Sequence, residues 1–281
     1  MGVPLNTLAA PYTALTHGSI ISIEDTVGSL GQVDVSDGIA GAGLKLIYKT
    51  IRSVSDLPEV CVNGHRVEVI GSEGKTADNY WVIFETNDGA SLGSGKWVEC
   101  LAPGVQIAMD ETTLPHQLVR NADGTFTFGP TTWDERGVGD DESNPVPSFI
   151  GSPLNNVVFF SNRLGFLSGE NAIFSTTGGF FDFFRATVTS YLDTDPIDIA
   201  VSHNKVSILE AAVPVNKRLI LFSAHTQFVL DTQGKAFTVD NVSILPITEF
   251  ENTPDAVTPV SNGSFVYFAT ESGENAGLLE Y

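Results

Sequence analysis

Cysteine is scarce in this sequence, which has only Cys61 and Cys100 among 281 residues. Two cysteines are too few for a disulfide framework, and neither lies in a Cys-x-x-Cys or Cys/His spacing that would hold zinc. No run approaches the roughly 18 apolar residues of a membrane span, and the N-terminus lacks the pattern of a signal peptide. We therefore expect a soluble chain with free thiols, suited to a reducing compartment and without membrane insertion.

Basic residues are also few, since 14 lysines and arginines stand against 34 acidic residues, for a formal net charge of −20. Sequence-independent binding to nucleic acid needs clustered basic side chains that displace counterions from phosphates. The charge therefore argues against that class of function. An acidic surface by itself keeps a β-rich protein soluble and discourages the pairing of strand edges.

Phenylalanine and glycine, in contrast, are abundant, with 18 and 27 residues against two methionines. This composition is typical of many short strands that pack through aromatic rings and are separated by tight turns. It leaves little room for helix and predicts an all-β fold.

Three similar apolar phrases recur in the second half of the chain, each followed by a polar turn and a second apolar run: residues 163–168, 218–223 and 264–269. The offsets of 55 and 46 residues are close to the roughly 40–50 residues of one four-stranded propeller blade. We predict hairpin repeats near 163–175, 218–231 and 264–281, within a partial β-propeller that spans 113–281.

Alternating apolar residues in the first part predict five strands, at 19–24, 44–51, 66–70, 79–85 and 96–100. Turn signals separate them, at Asp37-Gly38, Asn63-Gly64, Asp88-Gly89 and the glycines of 93–95. We therefore predict an antiparallel β platform segment over residues 1–112, incomplete at its N-terminus.

A hairpin is predicted next, from 112–120 through the turn Asn121–Gly124 into 125–128. The irregular acidic stretch 133–149 follows, and long ordered loops of this kind usually carry contacts to other molecules. The third repeat stops at 278–281 without a closing strand, so we expect the sequence to be a piece of a longer protein.

Motifs for catalysis or cofactor binding are not found. The segments 71–76 and 89–96 lack the phosphate-loop spacing and run into strands, so hairpin turns are the better interpretation. Ser94 lacks the context of a nucleophile elbow. The five histidines are scattered singly, at His17, His65, His116, His203 and His225. We predict no catalytic, cofactor-binding or metal site.

Two groups of carboxylates leave alternatives open. Asp193, Asp195 and Asp198 could hold calcium, although a solvated turn that leads into a strand at 197–201 is the favoured interpretation. Paired carboxylates in a propeller could also hydrolyse glycans, and acids are plentiful at Asp134, Glu135, Asp140, Asp141 and Glu142. With 34 acidic residues some adjacency is inevitable.

Several segments together resemble the central part of the tail nozzle protein family of short-tailed bacteriophages, also called tail tubular protein B. The strongest segment is 145–184, and the resemblance also rests on 55–58, 113–120, 125–128, Trp133 with Arg136, and 195–198. It spans roughly residues 35–281, and family members are much longer at both ends.

The resemblance implies a structural virion protein and not an enzyme: a subunit of a hexameric nozzle, assembled in the host cytoplasm, in contact with the tail adaptor protein and a tail fibre. Phage DNA would pass through its channel without specific binding, and a lining rich in carboxylates would let the polymer slide. The alternatives are a virion-associated glycan hydrolase and a monomeric propeller interaction module.

Aromatic packing should hold the repeats together, at about 1.5–3 kcal/mol for each fully buried ring. The Gly178-Gly179 pair should allow a bend before Phe180. The rings expected between the sheets are Phe160, Phe166, Phe174, Phe180, Phe181, Phe183, Phe184 and Phe222.

Overall fold

A computed structural model describes residues 12–25, 36–39, 43–71, 79–252, 257–273 and 275–281. Strands account for nearly all regular structure in these ranges, which hold short 3-10 turns at Val54–Asp56 and Glu111–Thr113 but no α-helix. The all-β fold class is thereby confirmed. Accordingly, no helix long and apolar enough to cross a membrane occurs in the described ranges.

The described residues fall into two compact units, the first within 1–105 together with 138–143, and the second within 106–137 together with 144–281. The first unit contains a hairpin of β1 and β2 and a five-stranded sheet in the order β3-β5-β6-β7-β4. Its strands are β1 (Tyr12–His17), β2 (Ile20–Asp25), β3 (Thr50–Ile51), β4 (Val60–Val62), β5 (Arg66–Val69), β6 (Tyr80–Thr86) and β7 (Leu92–Cys100).

Three sequence expectations for the first unit are wrong. The predicted strand at 44–51 is reduced to Thr50–Ile51, and this short β3 pairs with β5 in parallel, so the sheet is not purely antiparallel. The glycines of 93–95 form no turn but lie inside β7. A Cβ at Gly95 would overlap the carbonyl oxygen of Glu85, so glycine lets β6 and β7 approach closely.

The second unit begins with an isolated hairpin and continues with three antiparallel meanders, in which each strand pairs with the next along the chain. The hairpin comprises β8 (His116–Arg120) and β9 (Phe126–Pro130). The first meander contains β10 (Asn156–Phe160), β11 (Arg163–Ser168), β12 (Asn171–Phe174) and β13 (Ile197–Ala200). The second contains β14 (Ala211–Val215), β15 (Arg218–Phe222), β16 (Gln227–Asp231) and β17 (Ser243–Thr248), and the third β18 (Val260–Asn262), β19 (Phe265–Ser272) and β20 (Asn275–Glu280).

The second meander is buried on both faces. On β15, Leu219 and Leu221 pack with side chains of the first meander, whereas Ile220 and Phe222 pack with Val266 and Phe268 of the third. Because successive side chains of a strand point to opposite faces, a strand covered on both sides is apolar without interruption. The first strands of successive meanders also contact each other, β10 with β14 and β14 with β18.

The aromatic core agrees with the sequence expectation except at two positions. Phe166, Phe174, Phe183, Phe184 and Phe222 are buried, and Phe160 is half-buried against the core of the first two meanders. The expectation is wrong for Phe180 and Phe181, whose rings lie at the surface. A run such as Phe180-Phe-Asp-Phe-Phe184 has no strand periodicity that would separate inward from outward rings.

Candidate functional site

A buried arginine organises the loops of the second unit. The Arg163 side chain starts on β11, is fully buried, and donates hydrogen bonds to five backbone carbonyls, three of them at 2.9 Å or less. Its Nη1 lies 2.6 Å from the oxygens of Ser175 and Asp195, and its Nη2 lies 2.9 Å from that of Asp193. Burial lowers the pKa of this guanidinium, which nevertheless stays charged at neutral pH. The long segment between β12 and β13 is therefore fixed to the first meander.

Two further arginines fix the irregular acidic stretch and the same long segment. Arg136 is buried and donates to the carbonyls of Gln106 and Asn144, each at 2.9 Å. The Asn144 side-chain oxygen in turn accepts the backbone N–H of Arg185 at 3.0 Å. Arg185 contacts the buried Asp195 carboxylate at 3.3 Å. These charged donors let loops without strands of their own keep one conformation.

An aromatic cluster lies beside these loops, where Trp133 packs against Phe149, Phe166 and Phe183 with ring centroids 5.9–6.4 Å apart. The Trp133 ring is buried, and its indole N–H has no hydrogen-bond partner among the described residues. The surface ring of Phe181 meets Trp133 edge-on at 5.6 Å. The cluster thus sets the position of the exposed segment around Phe181.

The hairpin of β8 and β9 presents apolar side chains to solvent. Its register places Leu118 opposite Phe128 and Arg120 opposite Phe126, so Leu118, Phe126 and Phe128 share one side of the ribbon. Each of these three side chains exposes more than 60% of its surface. We call Leu118, Phe126 and Phe128 the hairpin face. Because an isolated two-stranded ribbon is marginally stable in water, such a face is suited to packing against another surface.

A second group of exposed apolar side chains lies on and beside β10. Val157 and Phe159 point outward from this strand with 62% and 58% exposure, and the ring of Phe180 packs edge-on against Phe159 at 5.2 Å. A groove of about 460 Å³ lies between the hairpin base and the start of β10. Its walls include Pro115, His116, Trp133, Val157, Leu164 and Phe181. The arrangement is suited to binding an apolar protein surface.

The candidate calcium ligands are engaged separately. Asp195 is buried and accepts from Arg185 and from the backbone N–H of Leu192. The Asp198 carboxylate accepts from Ser148 and Asn171, and Asp193 offers its carbonyl to Arg163. Within the described ranges, no group of three or more His, Cys, Asp or Glu side chains could hold a metal ion.

The acids considered for glycan hydrolysis belong to different units. Asp134 and Glu135 lie in the second unit, while Asp140, Asp141 and Glu142 lie in the first. The Asp140 carboxylate accepts the N–H groups of Glu142 and Ser143 and so stabilises a local turn. The groove beside β10 has no carboxylate in its walls. The hydrolase alternative gains no support from these positions.

The remaining candidates have local packing roles. Residues 72–76 of the first phosphate-loop-like segment lie outside the described residues, and residues 92–96 of the second, with Ser94, belong to β7. His65 packs on Trp97, His116 stacks on Phe128, and His203 packs edge-on against Phe228. His17 and His225 are exposed. Cys61 and Cys100 are free thiols, and burial raises the pKa of each.

Sequence reasoning missed both the buried arginines and the hairpin face. The position of Arg163 in an otherwise apolar phrase was a usable signal, because a charge within a buried strand needs partners supplied by the fold. The hairpin pattern was visible too, but the exposure of its apolar side depends on the absence of a covering element in the described part of the chain.

Comparisons with known proteins give one consistent result. Residues 3–281 match a family described as bacteriophage nozzle protein. The tail tubular protein gp12 of Escherichia phage T7 is 37% identical over 262 residues, which cover 92% of this chain and 32% of that protein. The chain thus spans about a third of the length of this curated relative. A likeness to the AfRom2 CNH domain covers 96% of this chain and 76% of that chain, but its 9% identity and TM-score of 0.32 support no conclusion.

Replacing Arg163 by lysine should destabilise the second unit strongly. One ammonium cannot reach all three of the carbonyls that lie within 2.9 Å of the guanidinium nitrogens, and each hydrogen bond to a charged donor contributes roughly 1.5–3 kcal/mol. We expect Arg163→Lys to lower the free energy of unfolding by about 3–5 kcal/mol in urea titrations. The matched change Arg120→Lys on the exposed hairpin should cost less than about 0.5 kcal/mol. Equal losses in both variants would contradict the assigned role of Arg163.

Asp182 should make the free energy of unfolding decrease as pH rises, which is the reverse of the effect of a carboxylate with a lowered pKa. Burial raises the pKa of its carboxyl, and repulsion from Asp134 and Asp195 adds to the effect. The contribution of Asp182 to stability is therefore present below about pH 3.9, the pKa of this carboxyl in the unfolded chain. It is lost as pH rises through the higher pKa that the carboxyl has in the folded protein. Asp182→Asn should gain stability relative to the unchanged protein between about pH 3 and pH 7 in urea titrations.

Asp110 provides the control of opposite sign. Hydrogen bonds from Thr112 lower the pKa of its carboxyl, so its contribution is present above the unfolded pKa and is lost as pH falls. Asp110→Asn should therefore lose relative stability over the same rise in pH. Parallel pH profiles for the two variants would refute both assignments.

Proposed function

Because the chain belongs to the bacteriophage nozzle protein family, we propose that it is part of a structural subunit of a phage tail nozzle, a virion component through which DNA leaves the particle. The observation that carries this proposal is the family match over residues 3–281. The identity of 37% to a tail tubular protein of phage T7 supports it. The function is mechanical, with no catalytic step.

The second unit provides part of a β-propeller in this proposal, and the first unit provides part of a platform. Three consecutive antiparallel meanders, whose first strands contact each other in order, are the arrangement expected of neighbouring propeller blades. A blade in such an array buries both faces between its neighbours, as the second meander does. The boundary near residue 112 remains our prediction for where platform gives way to propeller.

A nozzle requires several copies around a channel, and we propose six. Copies with a formal charge of −20 repel each other, so a surface poor in carboxylates favours contact between them. The hairpin face meets this requirement, since β8 and β9 contain no acidic residue. Burial of its three side chains would contribute about 1.5–3 kcal/mol for each. We propose that the hairpin face packs against the neighbouring subunit.

The same charge suits a conduit for DNA. A channel lined with carboxylates forms no counterion-releasing contact with phosphates, so the DNA does not bind to the channel wall as it passes.

The tail adaptor protein and a tail fibre complete the proposed set of partners. The two alternatives, a glycan hydrolase and a monomeric interaction module, both work as monomers and therefore differ from the nozzle in oligomeric state.

Electron cryo-microscopy of purified phage tails that contain this chain tests the proposal. We expect several copies of the two units around a central channel, with carboxylates along the path of the DNA. A tail in which the chain occurs only as isolated monomers would overturn the nozzle function. Turnover of capsule or peptidoglycan fragments by the purified chain would favour the hydrolase instead.

Removing apolar surface from the hairpin face should weaken ring assembly without unfolding the subunit. We expect the double variant Leu118→Ser/Phe128→Ser to need at least about a tenfold higher concentration for half-assembly, because about 1.4 kcal/mol corresponds to a factor of ten. Sedimentation velocity measures this concentration. Val206→Ser is the matched control, since Val206 is 76% exposed and lies outside the hairpin. Equal assembly of all three proteins would exclude the hairpin face as a contact.

A further inference from the structure

A cationic cavity lies where turns of the first two meanders meet. Its volume is about 460 Å³, and its lining includes the apolar side chains of Phe160, Leu230 and Phe237. The charged residues of the lining are Lys217, Arg218 and Lys235, against the single carboxylate of Asp231. Three positive groups and one negative group give a formal charge of +2 at this place in a chain of −20.

Two of the cations in the cavity have no counter-charge. Arg218 lies 3.5 Å from the Asp231 carboxylate, whereas no hydrogen bond or ion pair joins the ammonium groups of Lys217 and Lys235 to any described residue. Among the other lysines and arginines of the second unit, Arg136 and Arg163 are engaged by carbonyls, Arg185 by Asp195, and Lys205 by Glu249 at 2.7 Å. The exposed Arg120 on the hairpin has no ion pair with a described residue. The cavity therefore holds two of the three lysines and arginines of this unit that lack a described partner.

A further positive charge lies behind the cavity. The guanidinium of Arg163 is 5.8 Å from the centre of the Phe237 ring, which forms part of the lining. The hydrogen bonds of Arg163 go to backbone carbonyls, and the nearby Asp195 carboxylate, which also pairs with Arg185, offsets only part of the positive charge of the two arginines. In the low dielectric of a protein interior this charge strengthens the attraction of the cavity for an anion.

The backbone around the cavity carries lysine where glycine would fit better. Asn216 and Lys217 have φ angles of 48° and 64°, as the central residues of the turn between β14 and β15. Such turns strongly favour glycine at the second of these positions. Among the described residues, the non-glycine residues with positive φ all lie in turns that border this cavity: Ser161, Asn162, Asn216, Lys217 and Gln233. A charged residue is held in a conformation that costs stability, which is typical of a functional position.

We propose that this cavity is an anion site that receives a carboxylate-bearing segment of a second copy of this chain. This inference rests on the proposed nozzle function, because it needs copies placed side by side. A ring is built from heterologous contacts, in which one surface of each copy meets a different surface of the next. Each copy supplies 34 acidic residues but only one such cationic cavity is described here, so the cavity matches an acidic segment in charge.

DNA is the less suitable occupant. Binding of a nucleic-acid strand needs a track of cations along several phosphates, whereas the cationic residues here surround one concavity in an otherwise acidic chain. A B-form duplex is also far too wide for a cavity of about 460 Å³. A single side-chain carboxylate, by contrast, is small enough for a cavity of this volume.

The test uses recombinant subunits that contain this chain and the double variant Lys217→Gly/Lys235→Gln. Glycine at 217 relieves the strained turn, so this variant should unfold at no lower temperature than the unchanged protein. We expect it to require at least about a tenfold higher concentration for half-assembly in sedimentation velocity experiments. The control Lys45→Gln/Lys96→Gln changes the net charge equally at exposed positions outside the second unit, and should shift that concentration less than about twofold.

Carbodiimide cross-linking identifies the occupant. In rings assembled from a mixture of ¹⁴N- and ¹⁵N-labelled subunits, Lys217 or Lys235 should form mixed-isotope amide bonds to an Asp or Glu, which mass spectrometry detects. Rings without such a cross-link, and with unchanged assembly of the pocket variant, would overturn this inference while the nozzle function stands. Failure of the unchanged subunits to assemble would overturn both. Binding of a short oligonucleotide that is lost in the pocket variant would assign the cavity to nucleic acid and exclude the carboxylate.

Discussion

The Arg163 guanidinium donates to carbonyls of Ser175, Asp193 and Asp195, which belong to a segment with no strand of its own. Because its side chain is buried, its Nη donors need acceptors within the protein, and the carbonyls of an ordered loop provide them. The ordered loop thus supplies acceptors for the buried charge. The hydrogen bonds from that charge in turn hold the loop in one conformation.

The apolar surface beside β10 and the cationic cavity both adjoin this arrangement. The segment held by Arg163 includes Phe180 and Phe181, which extend the apolar surface beside β10. On its other side the same guanidinium lies behind Phe237, in the lining of the cationic cavity. In an acidic unit, both surfaces favour contact between like-charged copies. The apolar surface brings no further negative charge into the contact, and the positive cavity attracts a carboxylate of the other copy.

The repeated meanders explain why so much of the second unit is apolar. A strand such as β15 alternates its side chains between two neighbouring sheets, so Leu219 and Ile220 are both buried although they point in opposite directions. The outward side chains of β10, in contrast, have no such neighbour in the described part of the chain. Closely packed sheets stacked face to face in this way have low compressibility and transmit strain from one to the next.

Local sequence patterns were sufficient for the all-β class, the hairpin at 116–130, the strands of the three repeats and most of the buried rings. They were sufficient because side-chain alternation, turn residues and aromatic composition act over a few residues. Only the tertiary structure decided that β3 pairs in parallel, that the glycines of 93–95 lie within a strand, and that Phe180 faces solvent while Phe183 does not. Each of these outcomes depends on a partner distant in sequence: β5 for β3, Glu85 for Gly95, and Trp133 for Phe183. The same holds for the cationic cavity, whose lysines are separate in the sequence and share one concavity only because two turns of neighbouring meanders meet.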